Sequence, residues 1–205
     1  MPLTAEAPQS GKTKHTRRQR SLAGRLVLVA AIWSTLALVV AGFILVNLYR
    51  VAGERAFDAQ LEVYIKTIIA EMVPTDEDEA AGRSVVDPGN LGEPRFALPL
   101  SGWYWTVREA RNDQVQFASA SLVGDPLIVP ALGKETSQSS FAEGPAGEEV
   151  RLLQNRIELA GMDYVIAVAA ETAGFREEVR QFAQQVALTL LVFGLGLVGA
   201  IFLQV

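Results

Sequence analysis

Two long uncharged runs near the ends of the chain constrain it more than any other feature. Leu26 to Leu48 is 23 residues without a charge, fenced by Arg25 and Arg50, and Val186 to Val205 is a second uncharged run of 20 residues. A helix rises 1.5 Å per residue and about 20 apolar residues cross the roughly 30 Å of bilayer hydrocarbon. Both runs reach that length. The 137 residues between them, Tyr49 to Gln185, have ordinary soluble composition. The layout is span, water-facing domain, span.

Charge sets the expected orientation. Ahead of Leu26 stand Lys12, Lys14, Arg17, Arg18, Arg20 and Arg25, with His15, against the single acid Glu6. Residues 49–185 carry 12 Lys/Arg and 22 Asp/Glu, a net of −10. Short basic flanks stay in the cytoplasm. The expected division is a basic cytoplasmic tail at 1–24, a first transmembrane helix at 25–48, an exported domain at 49–185 and a second transmembrane helix at 186–205. In a bacterium this is a two-pass inner-membrane protein with a periplasmic domain. The first run exceeds the apolar core of a signal peptide and no small-residue cleavage pattern follows it, so an uncleaved anchor is expected. The basic tail suits anionic lipid; nucleic acid is not an expected partner of a tethered tail. Cysteine is absent, which excludes disulfides, thiol chemistry and a Cys zinc site.

Leu48 to Val73 holds no Pro and one Gly, and Phe57, Leu61, Ile65, Ile68 and Met72 recur at helical spacing. The first helix therefore continues into the domain until Pro74. Thr75 to Glu93 reads as a loop containing the acidic run Asp76, Glu77, Asp78 and Glu79. Arg95 to Leu98 reads as a short extended segment. Trp103 to Arg108 and Gln114 to Ser119 read as a hairpin around Asn112-Asp113, and Glu149 to Leu159 with Met162 to Ala170 as a second hairpin around Ala160-Gly161. Gly124 to Gly147 reads as irregular. Phe175, Val179, Phe182, Val186 and Leu190 keep one helical register from the domain into the second run. The sum is an α+β chain: a long N-terminal helix, an antiparallel sheet of about five strands, and a C-terminal helix entering the second span. That arrangement looks like the PAS-like sensor domains of bacterial membrane receptors.

Three groups of residues are candidates for a site. Four adjacent carboxylates at Asp76, Glu77, Asp78 and Glu79 offer oxygen ligands to Mg²⁺ or Ca²⁺, although a solvated acidic loop accounts for them as well and the ligand spacing of a calcium loop is missing. Trp103, Tyr104 and Trp105 alternate across a strand, so the two Trp share one face, either as core or as the wall of a pocket. The stripe Phe175, Val179, Phe182, Val186 and Leu190 is the candidate signal-transmitting helix. Nothing points to catalysis: the exported domain has neither His nor Cys, which removes the usual nucleophile–base pairs. Gly194, Gly196 and Gly199 in the second run favour close helix approach without forming a Gly-x-x-x-Gly pattern.

The stretch Arg95-Phe96-Ala97-Leu98-Pro99-Leu100-Ser101-Gly102-Trp103-Tyr104-Trp105 resembles a segment in the periplasmic domains of PhoQ-type sensor histidine kinases, closest to the FeuQ-like alphaproteobacterial members. Leu22-Ala23-Gly24-Arg25-Leu26, Trp33-Ser34-Thr35, Leu48-Tyr49-Arg50 and Glu54-Arg55-Ala56-Phe57 agree with it. The resemblance implies a homodimer whose chains continue into a linker, a helix with the phosphoacceptor His, and an ATP-binding domain, with ATP and Mg²⁺ used only there. It also implies a cognate response regulator as partner and a divalent cation as a possible stimulus, since acidic surface residues serve divalent-cation sensing in PhoQ. His15 precedes the first span and cannot be the phosphoacceptor. The expectation is the N-terminal part of a longer kinase, truncated within the second span. Two other readings stay open: the front end of a chemoreceptor or cyclase, and a membrane-anchored periplasmic binding domain without signalling.

Overall fold

The computed structural model describes residues 22–133 and 135–204. The basic cluster Lys12 to Arg20 and His15 lie outside the described residues. By compactness the chain divides into two units: one made of the residues up to Ala41 together with Leu188–Val205, the other Gly42–Ala187.

Helix α1 runs Leu22–Met72 and α3 runs Ala173–Gln204. Both are long and apolar enough to cross a membrane. At 51 residues, α1 is about 76 Å long. No Pro interrupts it, and Pro74 follows its last turn.

Between the two helices lies an unclosed, wholly antiparallel sheet of strand order β2-β1-β5-β4-β3. Its strands are β1 Trp103–Glu109, β2 Val115–Ala118, β3 Ser137–Glu143, β4 Glu149–Leu159 and β5 Met162–Glu171. Both expected hairpins are present. The tight β4–β5 turn places Ala160 at φ 52 and Gly161 at φ 74, the left-handed pair that matches the twist of a two-residue hairpin. In the middle of the sheet β5 pairs with β1 on one side (Trp105 opposite Val168) and with β4 on the other (Leu153 opposite Val168).

Side chains alternate across the sheet and build two cores. On the first face, Trp105, Val107, Leu153, Tyr164, Ile166, Val168 and Ala170 pack with Leu61, Ile65, Ile68 and Met72 of α1, the stripe expected from helical spacing. The second face carries Tyr104, Val150, Leu152, Ala167 and Ala169, with Leu127, Leu122 and Val129 from the segment after β2.

The structure corrects three local readings. Residues 95–98 are not extended: Pro94–Phe96 form a 3-10 turn whose first peptide N–H, from Arg95, is taken by the Glu93 side chain. Pro94 sets the turn and Phe96 plugs the first core. The acidic run is not a loop but the short helix α2, Asp76–Ala80, started by a capping box between Thr75 and Asp78. And Gly124 to Gly147 is not wholly irregular, because Ser137–Glu143 forms edge strand β3. Its Ser- and Gln-rich sequence has poor strand propensity; pairing along β4, from Ser137 opposite Asn155 to Glu143 opposite Glu149, imposes the conformation.

Candidate sensor site

Trp103 stands where α1, the 3-10 turn and β1 meet. Its ring lies 6.3 Å from Phe57, 5.7 Å edge-on from Tyr64 and 6.2 Å from Phe96, with the Arg95 guanidinium 3.8 Å over it. Arg95 is clamped to Glu93 through two parallel bonds, Nε to Oε1 at 2.8 Å and Nη2 to Oε2 at 2.9 Å, and the Tyr64 hydroxyl donates to the same carboxylate at 3.0 Å. These donors, the Arg95 guanidinium above all, hold Glu93 down from its ordinary 4.5 to about 2. A carboxyl depressed in the folded state contributes stability that is complete above its unfolded value and disappears as pH falls through the folded one. Acid titration should therefore loosen this corner between about pH 4.5 and 2. Glu93→Gln should flatten that part of a thermal-melt profile, by about 1 kcal/mol given the exposure of Arg95.

Trp105 lies on the same face as Trp103 and is buried in the first core. Tyr104 is buried on the opposite face. Its hydroxyl donates to Glu148 Oε1 at 2.6 Å and accepts from the Gly102 amide at 3.2 Å. Burial, reinforced by the Glu148 carboxylate, pushes the phenol up to about 12.

In α2, Asp78 accepts from the Thr75 amide and hydroxyl, at 3.2 and 2.7 Å, and from Arg83 Nη1 at 2.8 Å. The Thr75 bonds are the main cause that lowers its pKa. One of the four run carboxylates is thus committed to capping the helix. Among the described residues no group of three or more His, Cys, Asp or Glu is placed to hold a metal ion.

Along α3, Phe175, Val179, Phe182, Val186 and Leu190 are half-buried, as are Ala183, Gly194 and Leu197, on a largely exposed helix. Phe182 stacks on Tyr49 of α1 with ring centroids 4.2 Å apart, and Phe175 lies 6.3 Å from Phe57. Gly53 permits this approach, because a Cβ there would run into the Phe175 ring. A single residue, Thr172, separates β5 from α3, and its amide donates to the Glu149 carbonyl at 3.1 Å.

Sequence reasoning missed two groups. One is the ion pair Arg151–Asp58, in which Nε and Nη2 meet the two carboxylate oxygens at 2.8 and 2.7 Å, tying β4 to α1. The other is a polar layer on the second face, made by Thr106 and Arg108 of β1 with Gln154 and Arg156 of β4. Its signal was present as alternation: polar residues fall on every second position of each strand, after Tyr104 and after Leu152.

Comparison with known proteins finds no matching family model, no matching curated protein and no matching solved structure. The architecture itself defines the class: two apolar helices of membrane-spanning length flank a small α+β domain with a sensor-like open sheet.

Proposed function

We propose that this chain is the sensing and transmembrane-signalling portion of a two-component sensor histidine kinase of the PhoQ type. In this reading residues 1–24 are cytoplasmic, 25–48 and 186–205 cross the bacterial inner membrane, and 49–185 form the periplasmic sensor domain. The functional unit is a homodimer. Autophosphorylation and transfer to a response regulator belong to a C-terminal part beyond residue 205.

The observation that carries the reading is the junction of β5 with α3. The central strand passes through Thr172 directly into a helix that includes the second apolar run. A displacement of the sheet against α1 therefore has a covalent route along α3. A stimulus shifts such an equilibrium only by its differential affinity for the two arrangements, commonly about 1–3 kcal/mol. The resemblance of residues 95–105 to PhoQ-type periplasmic segments supports a kinase output over that of a chemoreceptor or cyclase.

The test is the reading frame beyond codon 205, followed by labelling of the full-length product with γ-phosphate-labelled ATP. A His-bearing helix and ATP-binding domain, with acid-labile, alkali-stable phosphate on the protein, is the expected result. A methyl-accepting or cyclase output would retain the receptor and remove the kinase. An immediate stop codon would leave an anchored binding domain.

A further inference from the structure

The second face of the sheet is unusual for a core. Among the described residues seven buried side-chain N or O atoms have no hydrogen-bond partner, and five of them lie on this one face: Thr106 Oγ1, Arg108 Nε, Ser140 Oγ, Gln154 Oε1 and Arg156 Nε. Buried polar groups are almost always paired, so orphans gathered in one place need a common cause.

The register shows how they are gathered. Thr106 and Gln154 stand on either side of Ala167 in one row across the sheet, and Arg108 and Arg156 on either side of Val165 in the next. Strands are about 4.8 Å apart, so the two arginine backbones are separated by about 9.6 Å. The floor of the first row is Ala167, the smallest side chain available there apart from Gly. Thr106 and Gln154 are fully buried and Arg108 is 8% exposed. This is a built polar site and not a solvated rim.

Its roof is the segment after β2. Among the described residues, no backbone–backbone hydrogen bond fixes 123–133 to the rest of the domain. Two polar latches hold it, and both are these arginines: Arg108 Nη2 donates to the Leu127 carbonyl at 2.7 Å and Arg156 Nη2 to the Leu132 carbonyl at 2.9 Å. The apolar side chains of Leu127 and Leu132 complete the cover. Asp163 and Glu158 stand on the same face one row beyond the arginines, and Asp113 meets Arg108 Nη1 at 3.3 Å from an exposed turn. An exposed partner at that distance competes weakly.

The unmet needs specify a ligand. Two guanidinium Nε–H groups call for anionic oxygen, and a guanidinium that offers Nε beside a terminal nitrogen takes a carboxylate through two parallel bonds. Gln154 Oε1 calls for a donor, and the two hydroxyls serve either role. We propose that this face binds a small hydroxy-dicarboxylate, its two ends taken by Arg108 and Arg156 and its hydroxyl by Gln154. Because the ligand competes with the Leu127 and Leu132 carbonyls for the same guanidinium groups, its entry unlatches the cover. The ligand class gives the domain its stimulus, and in that respect the inference rests on the sensing function; binding itself is a property of this chain alone.

The test uses the 205-residue chain in detergent micelles, titrated calorimetrically with L-malate, succinate and inorganic phosphate. L-malate should bind saturably and more tightly than succinate, which lacks the hydroxyl. Arg156→Lys keeps the charge and removes the forked geometry, and should weaken L-malate at least about tenfold, as should Arg108→Gln. Hydrogen exchange of the 123–133 amides should rise with L-malate in the unsubstituted chain and not respond to it in Arg156→Lys, while continued protection of the β5 amides shows that the variant is folded. No saturable binding of L-malate up to about 10 mM would overturn the site, water then being what fills it. Preference for phosphate would overturn the ligand class. Tight binding indifferent to both substitutions would overturn the location. These outcomes leave the kinase question to the reading frame, so the two failures are separable.

Discussion

Trp105→Ala should cost the domain about 3–5 kcal/mol, the range for deleting a large buried aromatic ring. Trp105 is 1% exposed and belongs to the core shared by α1 and the sheet. Its neighbours there, Leu61, Ile65 and Ile68, belong to a helix, and helix and sheet backbones cannot both collapse into the space left behind. Hydrogen exchange of the β5 amides reports the change without relying on tryptophan fluorescence. A useful control is Trp105→Phe. The indole N–H finds no hydrogen-bond partner, so Phe loses part of the ring but also removes an unsatisfied donor. The cost of Phe should be well under half that of Ala. Equal costs for the two would show that the core depends on the indole nitrogen.

Asp58→Ala should be the next most damaging change, at about 3 kcal/mol. Arg151 is only 13% exposed at the side chain and Asp58 26%, and both carboxylate oxygens are used. Removing Asp58 strands a mostly buried guanidinium, and the penalty comes chiefly from that uncompensated charge. Asp58 also supports the guanidinium's charge, raising the Arg151 pKa above its already high value. Two measurements separate this explanation from simple loss of packing. Arg151→Met combined with Asp58→Ala should recover a large part of the loss in a double-mutant cycle. And raising salt should change this pair's coupling little, whereas the exposed pairs Arg50–Glu54 and Lys66–Glu62 should be screened.

The helices were legible because their information is local and repeated. The spacing of Leu61, Ile65, Ile68 and Met72, and of Phe175, Val179 and Phe182, carries the buried face of α1 and the half-buried face of α3 directly. The two hairpins were legible for a related reason: Asn112-Asp113 and Ala160-Gly161 stand between alternating strands, and a tight turn leaves few registers. Strand β3 was not legible because Ser137 to Ser140 has no intrinsic preference for extended backbone and is held there by β4. The 3-10 turn and α2 were missed for the opposite reason. Each is begun by one side chain turning back on its own backbone, Glu93 to the Arg95 amide and Thr75 to the Asp78 amide, and short capped turns carry no periodicity. The polar layer of the second face escaped notice because each arginine looks ordinary in its own strand. Only the pairing of β1 and β4 to opposite sides of β5 brings Arg108 and Arg156 into one row.

The central position of β5 has a mechanical meaning. A strand bonded along both edges is the last part of a sheet to fray, whereas β2 and β3 each have a free edge. Helix α3 is thus fastened to the stiffest member of the domain, and the loosely latched roof is fastened between the softest two. Fraying of β2 or β3 alone can dissipate without reaching the helix, whereas a ligand held between Arg108 of β1 and Arg156 of β4 acts across β5 itself. In the proposed receptor, a force applied across the whole plate, tilting it as one body against Leu61, Ile65 and Ile68, is what turns the axle on which it is mounted.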